Sequence, residues 1–132
     1  MAQFVVRSEE NPSDLTWISQ KWRQPIQRIF WLNDVPSYSI RGGHRHQPEC
    51  QMVLHCPVGR VTIYVQTPKQ DHVYTLKAND EYLFLDGNDW RSMEAFSSNA
   101  VLTVLTSHSY EATIYVNQSY RPVRHWHIST QS

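Results

Sequence analysis

The run Arg41-Gly42-Gly43-His44-Arg45-His46 places two imidazoles one residue apart, directly after a glycine pair. Residues i and i+2 of an extended strand project from the same face. If that face is an interior, His44 and His46 look into one cavity. Two imidazoles sharing a cavity can be half of a metal site, because neutral imidazole suits divalent transition metals. They can equally be a proton site, because histidine takes up and returns a proton near neutral pH. In the second case a nearby arginine or tyrosine can stabilise an enolate oxygen as it develops, and Arg41 and Tyr38 are within reach in sequence.

The elements that must position these side chains are short and β-rich. Turn residues separate runs at 4–7, 15–19, 26–32, 50–56, 60–66, 72–78, 81–85, 90–96 and 100–106. The run 60–66 alternates cleanly, with Val61, Ile63 and Val65 on one side and Thr62, Tyr64 and Gln66 on the other. Strands of this length at regular spacing predict an all-β sandwich or barrel. Only 110–116 suggests a short helix. The tail 121–132 is basic and aromatic, and is expected to be peripheral.

With 132 residues the default is a single domain, 1–132. Twelve basic residues balance twelve acidic ones, which argues against a nucleic-acid footprint. No apolar run is long enough to span a membrane, and the early charges at the N-terminus do not read as a secretory signal. Cys50 and Cys56 are the only cysteines. On one strand they would stand on the order of 20 Å apart, too far for a disulfide, which predicts reduced thiols and a cytoplasmic protein.

Short strands with glycine, His-x-His and a glycine turn resemble a cupin. Metal-binding cupins add a nearby Glu and a later His. Here Glu49 has the wrong strand parity unless Pro48 introduces a bulge, and the position after Trp90 holds Arg91, a cation with no lone pair to give. The sequence therefore points from metal toward proton transfer, with no metal and no cofactor expected.

The chain further resembles the cupin-fold sugar-nucleotide 3,4-ketoisomerases, the WxcM-like group acting on dTDP-4-keto-6-deoxyglucose. The resemblance rests on Arg28-Ile29-Phe30-Trp31, Arg41 to His46, Gln51-Met52-Val53-Leu54, Trp90-Arg91-Ser92-Met93, Phe96 to Val101, and Tyr110-Glu111. It implies an all-β cupin jelly-roll barrel that moves a keto group from C4 to C3 through an enediol, without metal. It assigns His46 and His44 the shared base and acid roles and Arg41 the polarisation of the carbonyl. Tyr38, Arg91 and Gln51 follow as substrate contacts. The implied partners are a nucleotide-linked 4-keto sugar, with dTDP favoured, and a second copy in a homodimer, with N-terminal strands within 1–25 exchanged. The base must be neutral, so activity is expected to fall below about pH 6.5, the ordinary histidine value.

The chain departs from the group at Glu10-Asn11-Pro12-Ser13, Cys50, Arg91 and Ile114. Two rivals remain: a sugar-nucleotide binder that does not turn its ligand over, and a metal-dependent cupin. Each key residue also has a structural alternative. Tyr38 can be a turn aromatic, Arg91 an ion-pair partner, and Arg45 a solvent-facing or dimer-contact residue. His55 is expected to pack, and His72, His108, His125 and His127 to lie at edges or on the surface.

Overall fold

In the computed structural model, residues 2–6, 17–18, 21–22, 24–77 and 80–123 are described. Nine strands are found among them: β1 Gln3–Val6, β2 Arg28–Asn33, β3 Arg41–His44, β4 Gln51–Val58, β5 Val61–Gln66, β6 Asp71–Leu76, β7 Glu81–Asp86, β8 Trp90–Glu94 and β9 Val101–Thr106. They form two sheets, β1-β7-β4-β9-β2 and β3-β8-β5-β6, and every strand pair is antiparallel. This is the two-sheet jelly roll that the strand spacing and the cupin resemblance predicted.

Period-two alternation fixes which side chains enter the space between the sheets. On β5, Val61, Ile63 and Val65 face inward, and on β4 Met52, Leu54 and Cys56 meet them, with Leu83, Leu102 and Val104 from the neighbouring strands. Fully burying one such aliphatic side chain contributes about 1.5–3 kcal/mol. Both thiols are free and buried.

The outer face of the five-stranded sheet carries a second apolar cluster. Trp17, Ile18 and Trp22 cover Val53, Tyr82 and Leu105. Here the structure departs from the sequence expectation: the pattern predicts a strand over 15–19, yet its two described residues, Trp17 and Ile18, are helical. A short apolar run does not distinguish the two periods, and packing against a sheet face favours the helix. The expected helix at 110–116 is likewise absent: 110–112 turn, and Val116 bridges to Arg45 in an isolated antiparallel pair.

The tail begins as an anchored segment. Arg121 Nε pairs with Asp71 at 2.8 Å, and its Nη2 donates to Thr67 O at 2.6 Å. The Gln66 amide accepts from the Tyr120 and Arg121 backbone N–H groups and donates to Arg121 O. The rest of the tail, 124–132, lies outside the described residues, as does the Glu10 to Ser13 turn.

Candidate active site

The glycine pair before the histidines makes a β-bulge. Arg41 lies opposite Met93 and Gly42 opposite Ser92, but His44 lies opposite Arg91. β3 therefore spends one extra residue against β8. Gly42 and Gly43 both take positive φ, 81° and 82°, a region that costs an L side chain energy. A Cβ at Gly42 would also stand 2.8 Å from Met93 Cε. The bulge resets strand parity: Arg41 and His44 are three residues apart, yet both line the same cavity, with Arg91 and Met93 from β8.

That cavity encloses about 210 Å³. Apolar side chains such as Phe30, Leu32, Met52 and Leu54 make much of its wall. Its charged lining is all cationic: Arg41 exposed, Arg28 half-buried, and Arg91 only 1% exposed. No Asp or Glu is among the described residues that line it.

His44 lines the cavity, and His46 sits behind it with 3% of its surface exposed. Their ring centroids are 4.9 Å apart. Tyr115 stands edge-on to both rings, at 4.9 Å from each. His46 Nδ1 lies 2.9 Å from Ile114 O. A carbonyl can only accept, so Nδ1 carries the hydrogen and Nε2 keeps the lone pair. That buried Nε2 has no hydrogen-bond partner among the described residues.

Burial, and then the charge of Arg91, disfavour the protonated imidazoles. His44 is pushed down from 6.5 to about 4, and His46 to about 3. Both shifts move the expected acid limit down from pH 6.5. Burial also lowers Arg91, to about 10, which leaves it charged near neutrality.

Arg91 is the outlier in bonding. Its Nη2 donates to Asp86 O at 3.2 Å, while Nε and Nη1 have no partner among the described residues. The ion-pair alternative for Arg91 finds no direct carboxylate contact among the described residues, although the buried Asp89 carboxylate favours its charge through space. A buried guanidinium with unspent donors is costly unless an anion completes it.

Of the sequence candidates, the structure gathers His44, His46, Arg41 and Arg91. Tyr38 stays away: it is 73% exposed, in the turn closed by Ser39 N to Pro36 O at 2.9 Å. Gln51 is also displaced, because its strand parity puts Met52 and Leu54 on the cavity side and Gln51 on the other. There its Oε1 accepts from Gln24 Nε2 at 3.2 Å, tying down the N-terminal segment. Arg45 is not a free surface cation: Nε donates to Gln118 O at 3.1 Å, and the guanidinium lies 4.6 Å from the Tyr120 ring.

Two contributors went unassigned in the sequence, Arg28 and Tyr115. Arg28 begins an alternating strand whose inward residues are Arg28, Phe30 and Leu32; an arginine in phase with two apolar residues was the available signal. Tyr115 had no such signal, because 110–116 gave no clear period. The departure at Ile114 falls on an exposed side chain, whereas the site uses that residue's backbone: O meets His46, and N–H donates to Gln47 Oε1 at 3.0 Å.

A family model described as FdtA, WxcM-like, C-terminal, matches residues 2–124. The chain belongs to that family. One relative, the TDP-4-oxo-6-deoxy-alpha-D-glucose-3,4-oxoisomerase of Aneurinibacillus thermoaerophilus, is 29% identical over 93 residues, which span 70% of this chain and 66% of the relative. Among solved structures, a His-to-Asn mutant of the 3,4-ketoisomerase QdtA from Thermoanaerobacterium thermosaccharolyticum, in complex with TDP-4-keto-6-deoxyglucose, superposes with a TM-score of 0.76 at 22% identity. The match covers 89% of this chain and 87% of that one. The WlaRB TDP-quinovose 3,4-ketoisomerase from Campylobacter jejuni gives 0.73 at 25% identity, covering 89% and 92%.

Proposed function

We propose that this chain is a sugar-nucleotide 3,4-ketoisomerase, moving the keto group of a nucleotide-linked 4-keto-6-deoxy sugar from C4 to C3 through an enediol. One observation carries the assignment: a buried guanidinium with unspent donors stands across the ladder from His44, in a cavity whose described lining residues include cations and no carboxylate. Such a cavity suits an anionic ligand whose oxygen gains charge during reaction. The same guanidinium repels a divalent cation, which favours chemistry without metal. The volume of about 210 Å³ suits a sugar ring, and is below the roughly 300–1,000 Å³ of pockets that enclose larger ligands. The nucleotide then lies at the mouth, where the exposed Arg41 meets the diphosphate.

His46 Nε2 holds an unshared lone pair and is the base that takes the C3 proton, with His44 sharing its delivery to C4. Arg91 is better placed than Arg41 to stabilise the enediolate oxygen, because a guanidinium away from water acts through a lower dielectric. An anionic ligand beside Arg91 offsets the charge that depresses the imidazoles, so binding raises their basicity toward the working pH.

The two free thiols fit a cytoplasmic location. We place the chain as a single domain in a homodimer. The exposed Ile29 and Trp31 on the edge strand β2, and the edge strand β1, are the surfaces that pairing or strand exchange would cover.

The test is incubation with dTDP-4-keto-6-deoxyglucose in D₂O, followed by NMR, with UDP- and GDP-linked analogues alongside. The expected outcome is a 3-keto product, with deuterium at C4 in the fraction of turnovers in which the imidazolium exchanges its proton with solvent before delivering it. Tight binding with neither product nor deuterium in the recovered sugar would identify a binder and overturn the assignment.

A further inference from the structure

Resting on the ketoisomerase assignment, we infer that Tyr115 is a catalytic acid and base for the two sugar oxygens, with Arg28 positioning it. Moving a keto group requires two proton transfers, one between carbons and one between oxygens. The imidazole pair accounts for the first. For the second the cavity offers one hydroxyl: among the described residues lining it, Tyr115 alone carries an O–H. The remaining polar side chains there are arginines and His44, and arginine does not give up its proton near neutrality.

The placement of Tyr115 is specified from several directions. Its backbone neighbours are pinned by His46 Nδ1 to Ile114 O at 2.9 Å and by Arg45 and Val116, whose N–H groups reach each other's carbonyl at 2.9 and 2.8 Å. Its ring packs edge-on against both imidazoles. Arg28 Nη1 donates to its hydroxyl at 3.3 Å. Arg28 is itself held over the Phe30 ring at 4.3 Å and the Tyr110 ring at 5.2 Å. With Arg28 as donor, the phenolic hydrogen points elsewhere, free for a ligand oxygen.

The steps balance without a further reactant. An imidazole takes the C3 proton, and the C3–H electron pair becomes the C3=C4 bond. The C4 carbonyl π pair moves to O4, which takes the phenol proton. The phenolate, facing the Arg28 guanidinium, then takes the proton from O3. The O3–H pair becomes the new C3 carbonyl, and the C3=C4 pair takes the imidazolium proton at C4. Phenol and imidazole are both restored.

The test is Tyr115→Phe, which keeps the ring against both imidazoles and removes one oxygen. Steady-state turnover of whichever sugar nucleotide the wild-type protein isomerises is measured with TDP binding. The expected result is a kcat loss of about 100-fold or more, with KM and the TDP Kd within about threefold. Arg28→Gln should lower kcat less, and the double variant should be no slower than Tyr115→Phe alone, because the pair acts as one unit. A kcat for Tyr115→Phe within twofold of wild type would overturn the role while leaving the ketoisomerase assignment intact. So would a loss confined to KM, or losses that multiply in the double variant. No turnover by the wild-type protein on any 4-keto-6-deoxy sugar nucleotide would remove the assignment and this role together.

Discussion

His46 and His55 are almost equally hidden, at 3% and 5% exposure, yet they belong to different kinds of interior. His55 lies on the outer face of the five-stranded sheet, its ring stacked on Tyr82 at 4.2 Å with only 6° between planes. Tyr82 belongs to the cluster closed by Trp17, Ile18 and Trp22. His46 lies beside a cavity, with one nitrogen committed to a carbonyl, the other unpartnered, and a guanidinium depressing its protonation. Burial alone therefore does not mark a functional histidine. Unspent hydrogen-bonding capacity next to a buried, incompletely hydrogen-bonded cation does, because that arrangement is costly and is relieved by a ligand.

Exchange of each histidine sets the two regions apart most sharply. His46→Asn should lower isomerisation by about 10³-fold or more, with TDP affinity and thermal midpoint close to wild type. If His55→Asn loses chemistry to the same degree at equal folded fraction, the contrast between the regions fails. The next largest effect is expected from Arg91→Met. Replacing this buried, incompletely hydrogen-bonded cation by an apolar side chain should leave the midpoint unchanged or higher, while affinity for the 4-keto sugar nucleotide falls about 100-fold by calorimetry. A drop in both would make Arg91 a structural residue like those around His55.

The pH response gives a third and smaller effect. A base is active when neutral, so its depressed value moves the acid limb of kcat/KM, which reports the free enzyme, from near 6.5 to about pH 3–4. The acid limb of kcat should lie higher, because the bound anion offsets Arg91. Coincident limbs at 6.5 would show the imidazoles to be unperturbed. Stability follows from the same values. The unfolded chain binds histidine protons from pH 6.5 downward and the folded chain does not. The contribution is thus fully kept above 6.5 and is lost as pH falls toward about 4 and 3, and a midpoint rising as pH falls from 6.5 to 4.5 would contradict it. The smallest effect belongs to His55→Ala, expected to cost about 1–3 kcal/mol in denaturant unfolding with kcat per folded molecule unchanged.

Much of the fold was legible in the sequence. The alternation of Val61, Ile63 and Val65 set an inward face, and turn residues cut the chain into strands of jelly-roll length. His44 and His46 were legible as a pair because their types and spacing are unusual, and Arg91 because it stands where a metal ligand would. Trp17 and Ile18 were misread as strand because an isolated apolar pair carries no period. Gln51 was misplaced because parity along β4 depends on which of two adjacent residues enters the core.

By itself the sequence determined the ingredients: short strands, a glycine pair, two imidazoles, and a cation in place of a metal ligand. It did so because periodicity and residue chemistry are local properties. Only the tertiary structure decided their convergence. The bulge at Gly42 and Gly43 turned Arg41 and His44 to one side, against the parity that a regular strand would impose. The pairing of β3 with β8 set Arg91 across from His44, and the segment after β9 returned to bring Tyr115 and the Ile114 carbonyl onto the histidines. Those contacts join residues as far apart in the chain as His44 and Tyr115, and such pairings form only when the whole chain has satisfied its backbone and buried its core.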